Sequence, residues 1–209
     1  MTVLPRLEQS LTDAIRNEQP ETQRAPRRRR GRRLALALVA TLAVSATALA
    51  ATQPWTSLDD AVNQGQRPPA PDASLPVLGG GGTESLAQFR GKVVILSFFA
   101  SWCQPCKEQT PLLDQASRAL AADGRGTAVL VNWLDETGAQ EFVASHGLAM
   151  PVLADDRGLL GQAYDVQALP ETFVIDPEGR VVAISRRLAT QQFLDDAIAK
   201  TEQPDSGQN

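Results

Sequence analysis

Apolar segments alternate with segments of mixed polarity along the second half of the chain, and this alternation predicts strands followed by helices. The run at residues 93–99 is apolar except for one serine, which is typical of a strand buried on both faces. A helix should follow at residues 103–122, bent at Pro111 because an interior proline removes a backbone hydrogen bond. The other expected elements are strands at 75–78, 127–131, 151–153, 172–175 and 181–184, and helices at 136–146 and 190–200. The predicted fold class is therefore α/β, with a mixed sheet between helices.

The beginning of the chain differs from the rest in charge and hydropathy. Residues 1–33 contain nine arginines and four acidic residues, whereas the part from residue 52 onward contains 11 basic and 20 acidic residues. Between them, the eighteen residues 34–51 are only Leu, Ala, Val, Thr and Ser. As a helix they would extend about 27 Å, close to the roughly 30 Å of a bilayer core. The arginines should stay in the cytoplasm and direct the rest of the chain across the membrane.

These patterns divide the chain into five predicted segments. They are a basic cytoplasmic tail at 1–33, a transmembrane signal anchor at 34–51, a proline-containing linker at 52–72, a folded domain at 73–201 and a disordered tail at 202–209. A cleaved signal peptide is the alternative to the anchor, since the tripeptides at 46–48 and 48–50 resemble signal-peptidase sites. The expected location is the cell membrane, with the domain on the extracytoplasmic, periplasmic side. The basic excess is a topology signal, so no nucleic-acid partner is expected.

The chain has two cysteines, Cys103 and Cys106, three residues apart at the predicted start of a helix. There they share one face, and the unpaired N–H groups and the helix dipole stabilise a thiolate. Zinc would need two further ligands, and His146 is the only histidine. An inert disulfide closing so short a loop would restrict the unfolded chain little. We therefore expect a redox-active disulfide, with no metal and no other cofactor.

Three stretches of the sequence resemble the TlpA- and ResA-like membrane-anchored thioredoxins, which include the thiol reductases of cytochrome c maturation. They are residues 89–94, residues 99–107 with the Trp-Cys-Gln-Pro-Cys motif, and residues 164–176; Pro111 matches as well. The resemblance covers about residues 68–200 and implies a thioredoxin fold for the predicted domain.

The resemblance also implies roles for individual residues. Cys103 would be the exposed nucleophile, Cys106 the buried resolving thiol, and Pro170 a cis-proline facing them. Trp102 would pack beside the sulfurs and shape the docking surface, although an ordinary core position is the alternative. The other residues expected at the substrate surface are Gln104, Pro105 and Leu169.

Two carboxylates that are customary in this family are missing here. The position three residues after the second cysteine, usually glutamate, is Gln109, and the position where thioredoxins proper bury an aspartate is Ser97. Glu171, directly after Pro170, is the best remaining acid and is expected among the catalytic residues, with a solvated position at a strand entry as the alternative.

The expected activity is thiol-disulfide exchange on exported proteins. The resemblance implies the reducing direction, substrates such as apocytochrome c, and a membrane thiol-electron transporter as the electron source. A DsbA-like oxidase and a non-catalytic redoxin module remain alternatives. A peroxiredoxin-like peroxidase is disfavoured, since the usual setting of a peroxidatic cysteine is absent.

Overall fold

The computed structural model describes residues 57–203. At its centre is β3 (Val93–Phe99), whose seven residues are all buried. It belongs to a five-stranded sheet whose other strands are β4 (Gly126–Trp133), β5 (Val152–Asp155), β6 (Glu171–Ile175) and β7 (Val181–Ser185). The strands lie in the order β5-β4-β3-β6-β7. A separate antiparallel pair consists of β1 (Leu75–Pro76) and β2 (Thr83–Glu84).

The helices cover both faces of the large sheet. In chain order they are α1 (Leu58–Asn63), α2 (Gln104–Ala122), α3 (Ala139–His146), α4 (Leu159–Ala163) and α5 (Gln191–Thr201), with a 3₁₀ turn at Leu86–Phe89. Alternate residues of β3 point to opposite faces, so the strand contributes to two separate cores. One core lies under α2, α3 and α5, and the other lies under α1 and α4. The prediction of a mixed sheet between helices is thereby confirmed.

The strand pairing determines which segments meet at one edge of the sheet. β3 is parallel to β4 and antiparallel to β6, with Phe98 opposite Glu171. The carboxyl end of β3, the carboxyl end of β4 and the start of β6 therefore lie side by side. The Cys-X-X-Cys motif follows β3 and Pro170 precedes β6, so this register brings the two together.

The described part of the predicted linker, residues 57–72, differs from the expectation, because it is packed on the domain. Leu58 and Val62 of α1 lie against the second core, and the backbone N–H of Val181 donates to the carbonyl of Pro68 at 2.8 Å. The prolines predicted an extended spacer, but the apolar residues of α1 recur at helical spacing and bury one face.

Two further predictions concern the ends of the chain. The predicted anchor at 34–51 lies outside the described residues, as do residues 204–209 of the predicted tail. Among residues 57–203, no helix combines the length and apolarity needed to span a membrane.

Candidate active site

A disulfide joins Cys103 and Cys106 at the start of α2, with their Cα atoms 5.3 Å apart. Cys103 occupies the N-cap position, and its sulfur accepts a hydrogen bond from the backbone N–H of Cys106 at 3.2 Å. Pro105 lies in the first turn, where its missing N–H costs no helical hydrogen bond. The N–H groups at a helix start favour negative charge, so this position suits a thiolate at Cys103 once the disulfide is reduced.

The expected exposure of Cys103 is not found in this oxidised structure. Only 4% of Cys103 and 2% of Cys106 is exposed, because both pack in the core beneath α2. The neighbouring side chains form the exposed rim instead: Trp102 is 67% exposed, and Gln104 and Pro105 are exposed too. The alternative core position for Trp102 is therefore wrong, and a partner protein would meet this rim first.

The segment between α4 and β6 lies at the same edge of the sheet as the motif. We call residues 164–170 the cis-proline loop, because the peptide bond between Leu169 and Pro170 is cis, as expected. Leu169 is half-buried and packs against the core that contains both cysteines, while Pro170 is buried. The loop therefore borders the disulfide on the β6 side.

Gln109 and Ser97, the two positions that lack the customary carboxylates, are hydrogen-bonded to each other. The Gln109 side chain is buried; its Nε2 donates to the hydroxyls of Ser97 and Thr172, both at 3.1 Å. Its Oε1 accepts the backbone N–H of Ala189 at 2.6 Å. A neutral, fully hydrogen-bonded network thus lies one helical turn beyond Cys106, where members of the family customarily have carboxylates.

Glu171 is neither a free acid nor a solvated residue at a strand entry. Its carboxylate is buried: one oxygen accepts the backbone N–H groups of Gln167 and Ala168, both at 3.2 Å, and the other contacts the guanidinium of Arg186. These contacts tie it to the cis-proline loop. Arg186 could not be identified from the sequence, because it follows β7, at the far end of the hairpin that β6 and β7 form.

Asp135, at the end of β4, anchors the residues that lead into the motif. One carboxylate oxygen accepts the backbone N–H of Ser101 at 2.6 Å, and the other accepts that of Gly138 at 3.4 Å. Burial opposes ionisation, but the hydrogen bonds from Ser101 outweigh it and hold the pKa of this carboxyl below its ordinary value. A Cβ at Gly138 would overlap the Ser101 hydroxyl, so glycine is required for this close approach. The loop before Cys103 is thus held from the side of β4.

A central mixed sheet, a Cys-X-X-Cys disulfide at a helix start and an adjacent cis-proline together define a thioredoxin-like protein. The chain belongs to the AhpC/TSA family, whose sequence profile matches residues 67–184.

The names of individual relatives specify the kind of thioredoxin-like protein that this chain resembles. The thiol-disulfide oxidoreductase ResA of Bacillus subtilis is 34% identical over 112 residues, which are 53% of this chain and 62% of ResA, less than two thirds of that relative. A Chlorobium tepidum protein described as the thiol:disulfide interchange protein DsbE superimposes with a TM-score of 0.59 at 29% identity, covering 65% of this chain and 96% of that one. A secreted thiol-disulfide isomerase from Corynebacterium glutamicum gives 0.60 at 28% identity, covering 65% and 86%. The resemblance drawn from the sequence is confirmed.

Proposed function

We propose that this protein is an extracytoplasmic thiol-disulfide oxidoreductase that reduces disulfides in exported proteins. One observation carries the proposal: the Cys103 sulfur lies at the N-cap of α2, accepts the Cys106 N–H and is bonded to the Cys106 sulfur. This arrangement can hold a thiolate in one state and a disulfide in the other. The names of the relatives support the same chemistry.

The exchange would proceed in two steps. In the reduced protein, the Cys103 thiolate attacks one sulfur of a substrate disulfide, forms a mixed disulfide and releases the other substrate sulfur as a thiolate. Cys106 then loses its proton and attacks the Cys103 sulfur, which releases the second substrate thiolate. The substrate disulfide is reduced by two electrons, and Cys103–Cys106 is oxidised by two. A membrane thiol-electron transporter would return these electrons from the cytoplasmic side.

Substrate docking is assigned to the exposed rim and the loop facing it. Trp102 offers a large exposed apolar surface, and Gln104 and Pro105 lie beside it. Leu169 packs against the core that contains both cysteines. Exposed aromatic surface beside a reactive group is suited to contact a partner polypeptide. Pro170 would face the attacked sulfur and complete this surface.

The substrate class and the location rest on less direct support. Apocytochrome c, whose haem-attachment cysteines must be reduced, is the proposed substrate because of the resemblance to cytochrome c maturation reductases. The arginine-rich segment followed by residues 34–51 supports a membrane-anchored protein with its domain in the periplasm. One structural relative is described as secreted, which agrees with an exported domain.

A disulfide oxidase is the second candidate, since the relatives' names, oxidoreductase and isomerase, do not specify the direction of exchange. The same two-cysteine exchange runs in either direction, and the reduction potential decides which direction dominates. A redoxin module without catalysis is the third reading, and retention of both cysteines argues against it.

Catalysed reduction of insulin by the full chain tests the proposal. With dithiothreitol as reductant, the wild-type protein is expected to accelerate insulin precipitation severalfold over dithiothreitol alone. Cys103→Ser, which replaces the attacking sulfur with a hydroxyl, should give the uncatalysed rate. Equal rates for the wild type and Cys103→Ser would support the binding-module reading instead.

A further inference from the structure

Arg186 follows β7 and lies at the centre of a charged cluster separate from the dithiol. Its Nε donates to the two carboxylate oxygens of Asp59 in α1 at 3.1 and 3.2 Å, and Nη2 contacts the same carboxylate. Its Nη1 contacts Glu171 and donates to the backbone oxygens of Tyr164 and Asp165 at 3.1 and 3.0 Å. One guanidinium therefore joins α1, the first residue of β6 and the start of the cis-proline loop.

Glu171 extends these contacts to the end of the same loop. Its other carboxylate oxygen holds the backbone N–H groups of Gln167 and Ala168, which directly precede Leu169 and Pro170. Arg186 and Glu171 thus fix two carbonyls at the beginning of the loop and two N–H groups near its end. Under the proposed function, this loop carries the substrate surface on the β6 side of the disulfide.

The Glu171 carboxylate is buried and therefore needs Arg186 as its cation. The Glu171 side chain is 2% exposed and that of Arg186 27% exposed, so removing the guanidinium would leave a buried carboxylate without its cation. Burial opposes the charge of Arg186, but hydrogen bonds to Asp59 and Glu171 outweigh it and raise the pKa of the guanidinium above its ordinary value. The hydrogen bond from Arg186 holds the pKa of Asp59 below its ordinary value. Arg186 and Asp59 therefore remain charged at neutral pH.

We propose that Arg186 is a positioning residue for substrate docking: it holds the cis-proline loop in the shape that receives the partner polypeptide, with Asp59 of α1 securing its guanidinium. This inference rests on the proposed function and assigns to α1, within the segment the sequence predicted as a linker, a part in supporting the active site. Arg186 acts on the substrate through the loop and does not touch the sulfurs.

The test combines steady-state insulin reduction with amide hydrogen exchange measured by mass spectrometry, both on the full chain. In Arg186→Gln, exchange at Gln167 and Ala168 is expected to accelerate about tenfold or more, since their hydrogen-bond acceptor loses its cation. The KM for insulin should rise about tenfold, with kcat and the alkylation rate of reduced Cys103 unchanged. Arg186→Lys should not restore the KM, because one ammonium cannot replace the planar fork between two carboxylates.

Arg118→Gln is the matched control, because it removes an arginine that pairs with Asp114 on the surface of α2. It should leave exchange and KM at wild-type values. If Arg186→Gln does not fold, Asp59→Asn takes its place, because it leaves the pair between Arg186 and Glu171 intact. The amide exchange rate and the KM for insulin should then each rise about threefold. Unchanged values in Asp59→Asn would contradict the role of α1.

Unchanged exchange at Gln167 and Ala168 in a folded Arg186→Gln would overturn the positioning role. Faster exchange with an unchanged KM would show that the loop does not receive substrate. A wild-type protein without reductase activity would refute the proposed function alone, and the exchange data would still decide whether Arg186 holds the loop.

Discussion

Cys106→Ser is expected to accumulate mixed disulfides with partner proteins, whereas Cys103→Ser should accumulate none. Cys103 lies at the N-cap with its sulfur on a backbone N–H, so it is the sulfur placed to attack. Without the Cys106 thiol, the mixed disulfide on Cys103 has no internal nucleophile to release it. Catalytic turnover should be lost in both variants, and only the first should retain its partners.

Non-reducing gels of cells that express each full-length variant measure this outcome. Bands that disappear on reduction are expected for Cys106→Ser and not for the double variant Cys103→Ser/Cys106→Ser. Mass spectrometry of the excised bands should identify exported proteins joined through Cys103. Adducts on Cys103→Ser would reverse the assignment of the two cysteines, and cytoplasmic proteins among the partners would contradict the extracytoplasmic location.

Gln109→Glu is expected to raise the pKa of the Cys103 thiol by about one unit and to slow its attack near neutral pH by up to about tenfold. Gln109 lies three residues after Cys106 on the same buried helix face, and its present neighbours can all donate to a carboxylate: Ser97, Thr172 and the N–H of Ala189. The variant would therefore place a negative charge in the neutral network. Such a charge disfavours a nearby thiolate and could also accept the Cys106 proton.

The pH dependence of Cys103 alkylation in the reduced protein measures this shift. Gln115→Glu makes the same change at an exposed position of α2 and should leave the thiol pKa within a few tenths of the wild-type value. An unchanged or lowered Cys103 pKa in Gln109→Glu would mean that a charge at position 109 does not interact with the thiolate. The role that the carboxylate has in the family could then not be assigned to this position.

The main elements were predictable because their signals are local. Residues 93–99 form a fully buried strand as their composition indicated, and the helix that begins at the cysteines ends at Ala122 as expected. The cis state of the peptide bond before Pro170 came from the family resemblance, since no local pattern distinguishes it from a trans bond. The predicted helix at 136–146 starts only at Ala139, after a turn in which the Asp135 carboxylate accepts the backbone N–H groups of Ser101 and Gly138.

The contacts that hold the site in place were not predictable from the sequence, because they join residues that are far apart along the chain. Asp59 and Arg186 are 127 positions apart, and only the fold shows that they meet. Glu171 was expected to act at the dithiol from its place in the sequence, yet the register of β6 and the position of Arg186 turn it to the loop backbone. The sequence shows that Gln109 and Ser97 stand where carboxylates are customary. Their hydrogen bond to each other depends on how α2 packs over β3, which the sequence does not show.

The reduction potential of the Cys103–Cys106 pair in the full chain decides whether this protein reduces disulfides or forms them. Equilibration with glutathione buffers, followed by alkylation and mass spectrometry, gives the fraction oxidised at each poise. The proposed reductase function requires a potential near that of thioredoxin, about −270 mV, at which the dithiol donates electrons to most protein disulfides. A potential near that of DsbA, about −120 mV, would contradict it and assign the protein to disulfide formation.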